Sequence, residues 1–192
     1  MKAGGGKQKG AQFERDVCVR LSRWVSQGHK DDLFWRSAMS GGRATLGKRK
    51  GVDLSRQAGD ITAVAPEGHI LTDRFYIECK SVKDLKLDRM LIGSGTLFEF
   101  WRVARREARE HDRHPMLIAK QNQYTTLVLL PIWAMKPGNL FAHNIEPQAL
   151  LTISPPNGGA YVRCAVLLFE DMLNTRFCKQ YRTPRVRLIN RG

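Results

Sequence analysis

Gly59-Asp60-Ile61 and Glu78-Cys79-Lys80 lie within two apolar, strand-like runs, and their residue types and spacing suit hydrolysis of a phosphodiester bond. Ile61, Ala63 and Ala65 alternate with Thr62 and Val64 as in a partly buried strand, and Phe75-Tyr76-Ile77 leads into a second. Side chains on a strand repeat every two residues, so Glu78 and Lys80 project from one face and Cys79 from the other. If the strands pair as a hairpin, with Pro66-Glu67-Gly68-His69 near the turn, Asp60 converges on Glu78. Two carboxylates offer hard oxygen ligands to Mg²⁺, leaving its other positions to water and the phosphate. A metal so held lowers the pKa of a bound water and neutralises charge at phosphorus, while Lys80 orients the nucleophile and stabilises the same charge. Taken alone, the pattern also occurs in exposed strands whose acids and lysines form ordinary surface ion pairs.

The elements that must position these residues are partly legible. A helix over about Ala11 to Val25 places Phe13, Val17, Leu21, Trp24 and Val25 on one stripe, the core face. Glu14 lies at the edge of that stripe, where it can reach a metal held by a sheet or serve as a solvated first-turn glutamate. Residues 1–10, with four glycines and three lysines, read as a flexible basic arm. Phe34-Trp35 begins a strand, after which Ser37 to Arg56 is polar and basic. Arg43, Lys48, Arg49, Lys50 and Arg56 crowd it, as phosphate contacts or as solubilising charge.

A second helix, about Thr96 to Arg113, carries Glu99, Glu107 and Glu110 in pairing distance of its arginines, as a solvated helix covering a sheet would. His111 and His114 bracket its end without carboxylate or cysteine partners at ligand spacing, a poor metal site. Further strands are expected at Met116–Ala119, Tyr124–Leu130, Leu150–Ile153 and Tyr161–Leu168, with a turn at Pro155-Pro156-Asn157-Gly158-Gly159 and a short helix over Glu170–Phe177. The expected class is α/β, organised as one domain over residues 1–192: the arm, a core over 11–130, and a β-rich C-terminal extension over 131–192.

Thirty-two Lys and Arg against 18 Asp and Glu leave a net charge of +14, the balance of a chain that binds a polyanion. No apolar run reaches the length of a spanning helix, and the Gly-rich start lacks a signal peptide's apolar core. A soluble, cytoplasmic protein is expected, in the host cell's cytoplasm if a phage encodes it. Cys18, Cys79, Cys164 and Cys178 form no CxxC pair, so reduced, mostly buried thiols are expected instead of a zinc ribbon or redox motif. No P-loop or other nucleotide-cofactor motif is present.

The N-terminal two-thirds resembles the archaeal-type Holliday junction resolvases, a branch of the PD-(D/E)xK nuclease superfamily. The resemblance runs through Lys9-Gly10-Ala11-Gln12-Phe13-Glu14-Arg15, similar to that family's K-G-x-x-x-E-R, and Phe34-Trp35-Arg36-Ser37-Ala38-Met39-Ser40-Gly41, similar to its strand and R-S-x-x-S loop. It continues through Gly59-Asp60-Ile61, Tyr76-Ile77-Glu78-Cys79-Lys80-Ser81, and the helix from Phe98 to Glu110 before the strand at Pro115–Lys120. Two departures stand out: a longer basic stretch between Ser40 and Asp60, and the residues beyond 130. Because of the first, Asp53 in Gly51-Val52-Asp53-Leu54 also looks like the family's metal-binding aspartate. Asp60 is favoured because it enters a β-compatible run, whereas Ser55-Arg56-Gln57 after Asp53 is turn chemistry.

The resemblance implies a restriction-endonuclease-like core, a mixed β-sheet flanked by helices, and a homodimer that nicks four-way DNA junctions. Glu14, Asp60, Glu78 and the Cys79 backbone carbonyl would bind Mg²⁺, or Mn²⁺ in its place, and Lys80 would assist the attacking water. Ser37 or Ser40 would belong to a mobile loop completing the site. Lys9, Arg15 and Arg36 would join the basic stretch in contacting DNA. A second reading keeps the chemistry and changes the substrate to flap, duplex or single-stranded DNA in repair, restriction or recombination, and a third is a non-catalytic nucleic-acid-binding module.

Overall fold

A computed structural model describes residues 5–37, 58–154 and 161–179. Asp53, Ser40, Arg43, Lys48, Arg49, Lys50, Arg56 and the expected turn at 155–159 lie outside the described residues.

The apolar stripe read from the sequence builds the first helix, α1 (Gly5–Ser26): Phe13, Val17, Leu21, Trp24 and Val25 are all buried. Its start corrects the expectation for the N-terminal arm, since residues 5–10 are helical. Ser22, buried in mid-helix, donates to the Cys18 carbonyl and accepts the N–H groups of Leu33 (3.0 Å) and Phe34 (3.2 Å). One hydroxyl thereby docks the next strand, β1 (Phe34–Arg36), against α1.

β1 pairs antiparallel with β2 (Ile61–Ala63), with Trp35 opposite Thr62. The hairpin expected between β2 and the following strand does not form, because Pro66–Thr72 is a helix, α2. Pro66 occupies its first turn, where a missing N–H costs nothing, and Ala65 before it is extended, as proline demands of its predecessor. Gly68 lets α2 lie close: a Cβ there would stand 2.9 Å from the Leu33 carbonyl and 3.0 Å from Ala63 Cβ.

After α2 the chain enters the main sheet at β3 (Phe75–Val82). A short helix, α3 (Leu87–Met90), and a long one, α4 (Gly95–Glu110), carry it to β4 (His114–Gln121), parallel to β3. The second helix thus stops short of the expected Arg113; Asp112 takes a left-handed turn (φ 52°) and Arg113 is buried. β5 (Thr126–Leu130), β6 (Ala149–Ile153) and β7 (Val162–Leu168) complete a five-stranded mixed sheet in the order β3-β4-β5-β7-β6. β6 and β7, expected in an extension, are hydrogen-bonded members of this one sheet. α5 (Phe169–Leu173) follows, shorter than expected, and Phe177 bridges to Phe141 instead of ending the helix.

Alternation along the strands divides the core into two layers. Ile77 and Cys79 of β3, Ile118 of β4 and Val128 of β5 pack with α1, whereas Leu117, Ala119 and Leu129 pack with Leu97, Phe98 and Trp101 of α4. The fold is therefore α/β, a mixed central sheet between helices, of the restriction-endonuclease-like type. Among the described residues no helix is long and apolar enough to cross a membrane. The cysteines are free, with Cys18, Cys79 and Cys164 buried, and burial pushes the Cys18 and Cys164 thiols up to about 12.

Candidate active site

β3 lies at one end of the five-stranded ladder, and the β1–β2 ribbon meets it at Asp60. The Asp60 N–H donates to the Ile77 carbonyl (2.8 Å), its carbonyl accepts from the Ser37 N–H (2.8 Å), and its side-chain Oδ2 accepts from the Cys79 N–H (2.8 Å). These bonds fix the carboxylate of Asp60 beside the backbone of the Glu78-Cys79-Lys80 run. Gly59 makes the approach possible: with φ 85°, it lies where a Cβ would come within 2.6 Å of the Ile77 carbonyl oxygen.

Glu78 and Lys80 share a face of β3, as the alternation requires, and form an ion pair. Glu78 is only 7% exposed, while Lys80 is half-buried, its ammonium 5.8 Å from the centroid of the Phe100 ring of α4. Burial, and then the charge of Glu78, pushes the Asp60 carboxyl up to about 7, against the Cys79 N–H and Lys80; Glu14 adds a smaller repulsion. Burial likewise raises Glu78, opposed by the charge and hydrogen bond of Lys80. For Lys80, burial favours the neutral amine, but Glu78 and Asp60 outweigh it and hold the group above its ordinary value. The lysine is therefore an ammonium at neutral pH, a donor with no lone pair to accept a proton.

Glu14 reaches toward this site from α1, and its carboxylate pairs with Arg36 at the end of β1. Arg36 is thus tied to an acid of the candidate site. Ser37 is buried, with its N–H on the Asp60 carbonyl, which ties its backbone to that of Asp60. Arg15 is exposed and hydrogen-bonded to Gln12, and Lys9 is exposed nearly two turns before Arg15 on α1.

Two neighbours were not singled out by sequence reasoning. The Tyr76 hydroxyl donates to Glu107 of α4 (2.6 Å), and His111 stacks on the Tyr76 ring at 5.7 Å with 14° between planes. Alternation along β3 already places Tyr76 on the face of Glu78; nothing in sequence reveals that Glu107, expected in surface pairs with arginines, turns toward the sheet. His114 packs on Phe75 and Trp133, so neither histidine is arranged as a ligand.

Among the described residues, no three His, Cys, Asp or Glu side chains converge as a metal cluster. Asp60 and Glu78, joined by the adjacent Cys79 carbonyl, are the oxygen donors that could hold a divalent cation. The pair fits one electrostatically, since burial raises the proton affinity of both carboxyls and the charge of Glu78 raises that of Asp60 further, and a cation beside them relieves this.

Residues 5–174 match the family model described as "Phage putative PDDEXK endonuclease". Comparison with curated proteins and comparison with solved structures each find no match. An aspartate docked by its backbone onto a strand that bears glutamate, one intervening residue and lysine is the arrangement behind that family's name, and with most of its length matched this chain belongs to the phage putative PDDEXK endonuclease family.

Proposed function

We propose that this protein is a metal-dependent, structure-selective endonuclease that hydrolyses phosphodiester bonds in four-way DNA junctions, acting as a homodimer. The observation that carries the nuclease reading is the convergence of Asp60, Glu78 and Lys80, with the Asp60 carboxylate fixed on the Cys79 N–H. Asp60, Glu78 and the Cys79 carbonyl would hold Mg²⁺ or Mn²⁺, which when bound supplies a Lewis acid for the phosphoryl oxygen and an acidified water. The protein's own part is positioning. Lys80, kept cationic by its acids, donates hydrogen bonds to the attacking water or to a phosphate oxygen and offsets the charge that builds there. Glu14 adds a third acid at the rim, with its charge balanced by Arg36.

Preference for junctions and dimerisation rest on the resemblance of the N-terminal two-thirds to archaeal-type resolvases. A second reading, a nuclease acting on flap, duplex or single-stranded DNA, fits the family description equally well. A gel comparison of synthetic junction, flap, duplex and single strand separates them. If the first reading is right, wild-type protein linearises a supercoiled cruciform plasmid through paired nicks, and mixed dimers with one Glu78→Ala subunit leave an open circle. Equal cutting of flaps and junctions, or a protein that sediments as a monomer at assay concentration, would favour the second.

The basic stretch offers an independent check. Neutralising Lys48, Arg49 and Lys50 together is expected to weaken binding to every DNA sequence about equally and to lower the magnitude of the salt slope by roughly two to three. A slope equal to the parent's would remove these residues from the DNA interface.

A further inference from the structure

The crossover helix α4 runs back along β3, and its inner face meets the face of β3 that bears the candidate site. Phe100 lies under the Lys80 ammonium and Glu107 receives the Tyr76 hydroxyl. On the helix these two residues are separated by about two turns, or roughly 10 Å, on one face; on the strand, Lys80 and Tyr76 are separated by four residues, roughly 13 Å, on one face. The spacings match, so α4 forms a floor beneath Tyr76, Glu78 and Lys80.

We propose that Tyr76 and Glu107 are a positioning pair, which ties the Glu78 carboxylate and the approach to Asp60 to the rigid floor of α4 and so sets the site's affinity for a divalent cation. The proposal rests on the nuclease reading above. Contacts from α4 and from the segment just before Asp60 converge on Tyr76. Its hydroxyl donates to Glu107 at 2.6 Å, in a hydrogen bond to a charged acceptor. Its ring packs on Ala108 of α4 and on Ala58, two residues before Asp60, and His111 covers it in parallel stacking. Glu78 is the next residue on its face of β3, so the Tyr76–Glu107 pair flanks that carboxylate. Ala108 is fully buried, and its small side chain leaves room for the ring.

A surface glutamate on a helix ordinarily pairs with arginines one turn away, as Glu99 does with Arg102 on this same helix. Glu107 contacts Arg106 only at 3.4 Å and gives its shorter bond to the tyrosine. Outer partners of metal-binding carboxylates act in this way: they touch no substrate, and their loss lowers metal affinity or activity by about 10–100-fold.

The test compares the full-length parent with Tyr76→Phe, Glu107→Gln and Glu107→Ala, and with Glu99→Gln as a control on the outer face of α4. Mn²⁺ alone is titrated without DNA, following the melting temperature, and cleavage is measured over a range of DNA concentrations up to saturation. Tyr76→Phe keeps the ring and its packing. It is expected to need about 10-fold more Mn²⁺ for half of the thermal shift and to lose about 10-fold in kcat, with KM for DNA unchanged. Glu107→Ala should match it, Glu107→Gln should recover part of the loss because its carboxamide oxygen still accepts from Tyr76, and Glu99→Gln should behave as the parent. A Tyr76→Phe protein whose melting point falls without metal but whose Mn²⁺ midpoint and kcat are those of the parent would show a merely structural tie and overturn the proposal. A parent that neither shifts with Mn²⁺ nor cuts DNA would overturn the nuclease reading and this proposal together.

Discussion

Asp60→Asn is expected to melt about 5–10 °C above the parent protein in chelator at pH 8 while losing at least about 10³-fold in DNA cleavage. The gain follows from linkage. The Asp60 carboxyl has an ordinary value of 3.8 and is pushed up to about 7 in the fold by burial and then by Glu78. The folded protein therefore binds the proton more tightly than the unfolded chain. The stability this carboxyl contributes is complete below about pH 4 and is lost as pH rises through about 7. Such a rise corresponds to at most about 4 kcal/mol of forfeited stability at pH 8. The amide oxygen still accepts from the Cys79 N–H, and about 2–3 kcal/mol of this should be recovered, at about 2–4 °C per kcal/mol for a chain of this size.

The advantage should shrink as pH falls and vanish near pH 4–5. Mg²⁺ should stabilise the parent and leave the variant unmoved, because the charge that held the cation is gone. DNA affinity should stay within an order of magnitude, since phosphate contacts dominate it. Asp53→Ala should retain most cleavage. Calorimetry across pH with and without Mg²⁺, beside a nicking assay, reads all of this. A variant no more stable than the parent at pH 8 would mean that Asp60 is not the buried, repelled acid described, and loss of activity in Asp53→Ala alone would move the metal-binding role to that residue.

Gly59→Ala should be the most damaging single methyl group at the site. A Cβ at position 59 would lie 2.6 Å from the Ile77 carbonyl oxygen and 3.1 Å from the Ile77 nitrogen, and both are backbone atoms of β3 that cannot rotate aside. The carbonyl it strikes is the one that accepts the Asp60 N–H. Steric overlap and a left-handed conformation at φ 85° add, for an expected cost of about 3 kcal/mol or more, and displacement of Asp60 should lower cleavage by at least about 100-fold. Gly28→Ala supplies the comparison: its φ is 89°, with nothing within 4 Å of the added methyl, so it should cost only about 1 kcal/mol and leave cleavage intact. Equal melting points for the two variants would deny that the close approach of Gly59 to β3 shapes the site.

How much of this was legible beforehand depends on the range over which each feature is encoded. The buried stripe of α1 and the shared face of Glu78 and Lys80 follow from periods of 3.6 and two residues, which a few neighbouring side chains declare. Net charge and the order of motifs are also properties of the chain itself. Pro66 and Gly68 misled because the same residues serve a tight turn or a helix's first turn. What decides is whether the segment can pack, and Gly68 does so against Leu33, Phe34 and Ala63, more than 30 residues back for the first. The placement of β6 and β7 beside β5, the ion pair of Glu14 with Arg36, and the turning of Glu107 toward Tyr76 all join residues far apart in the chain. So the sequence by itself determined which residues are the candidates for the chemistry and which face of each element they occupy. The tertiary structure alone decided which of those faces meet, because the partner that neutralises or orients a charge is selected by packing across the sheet, and no local pattern records it.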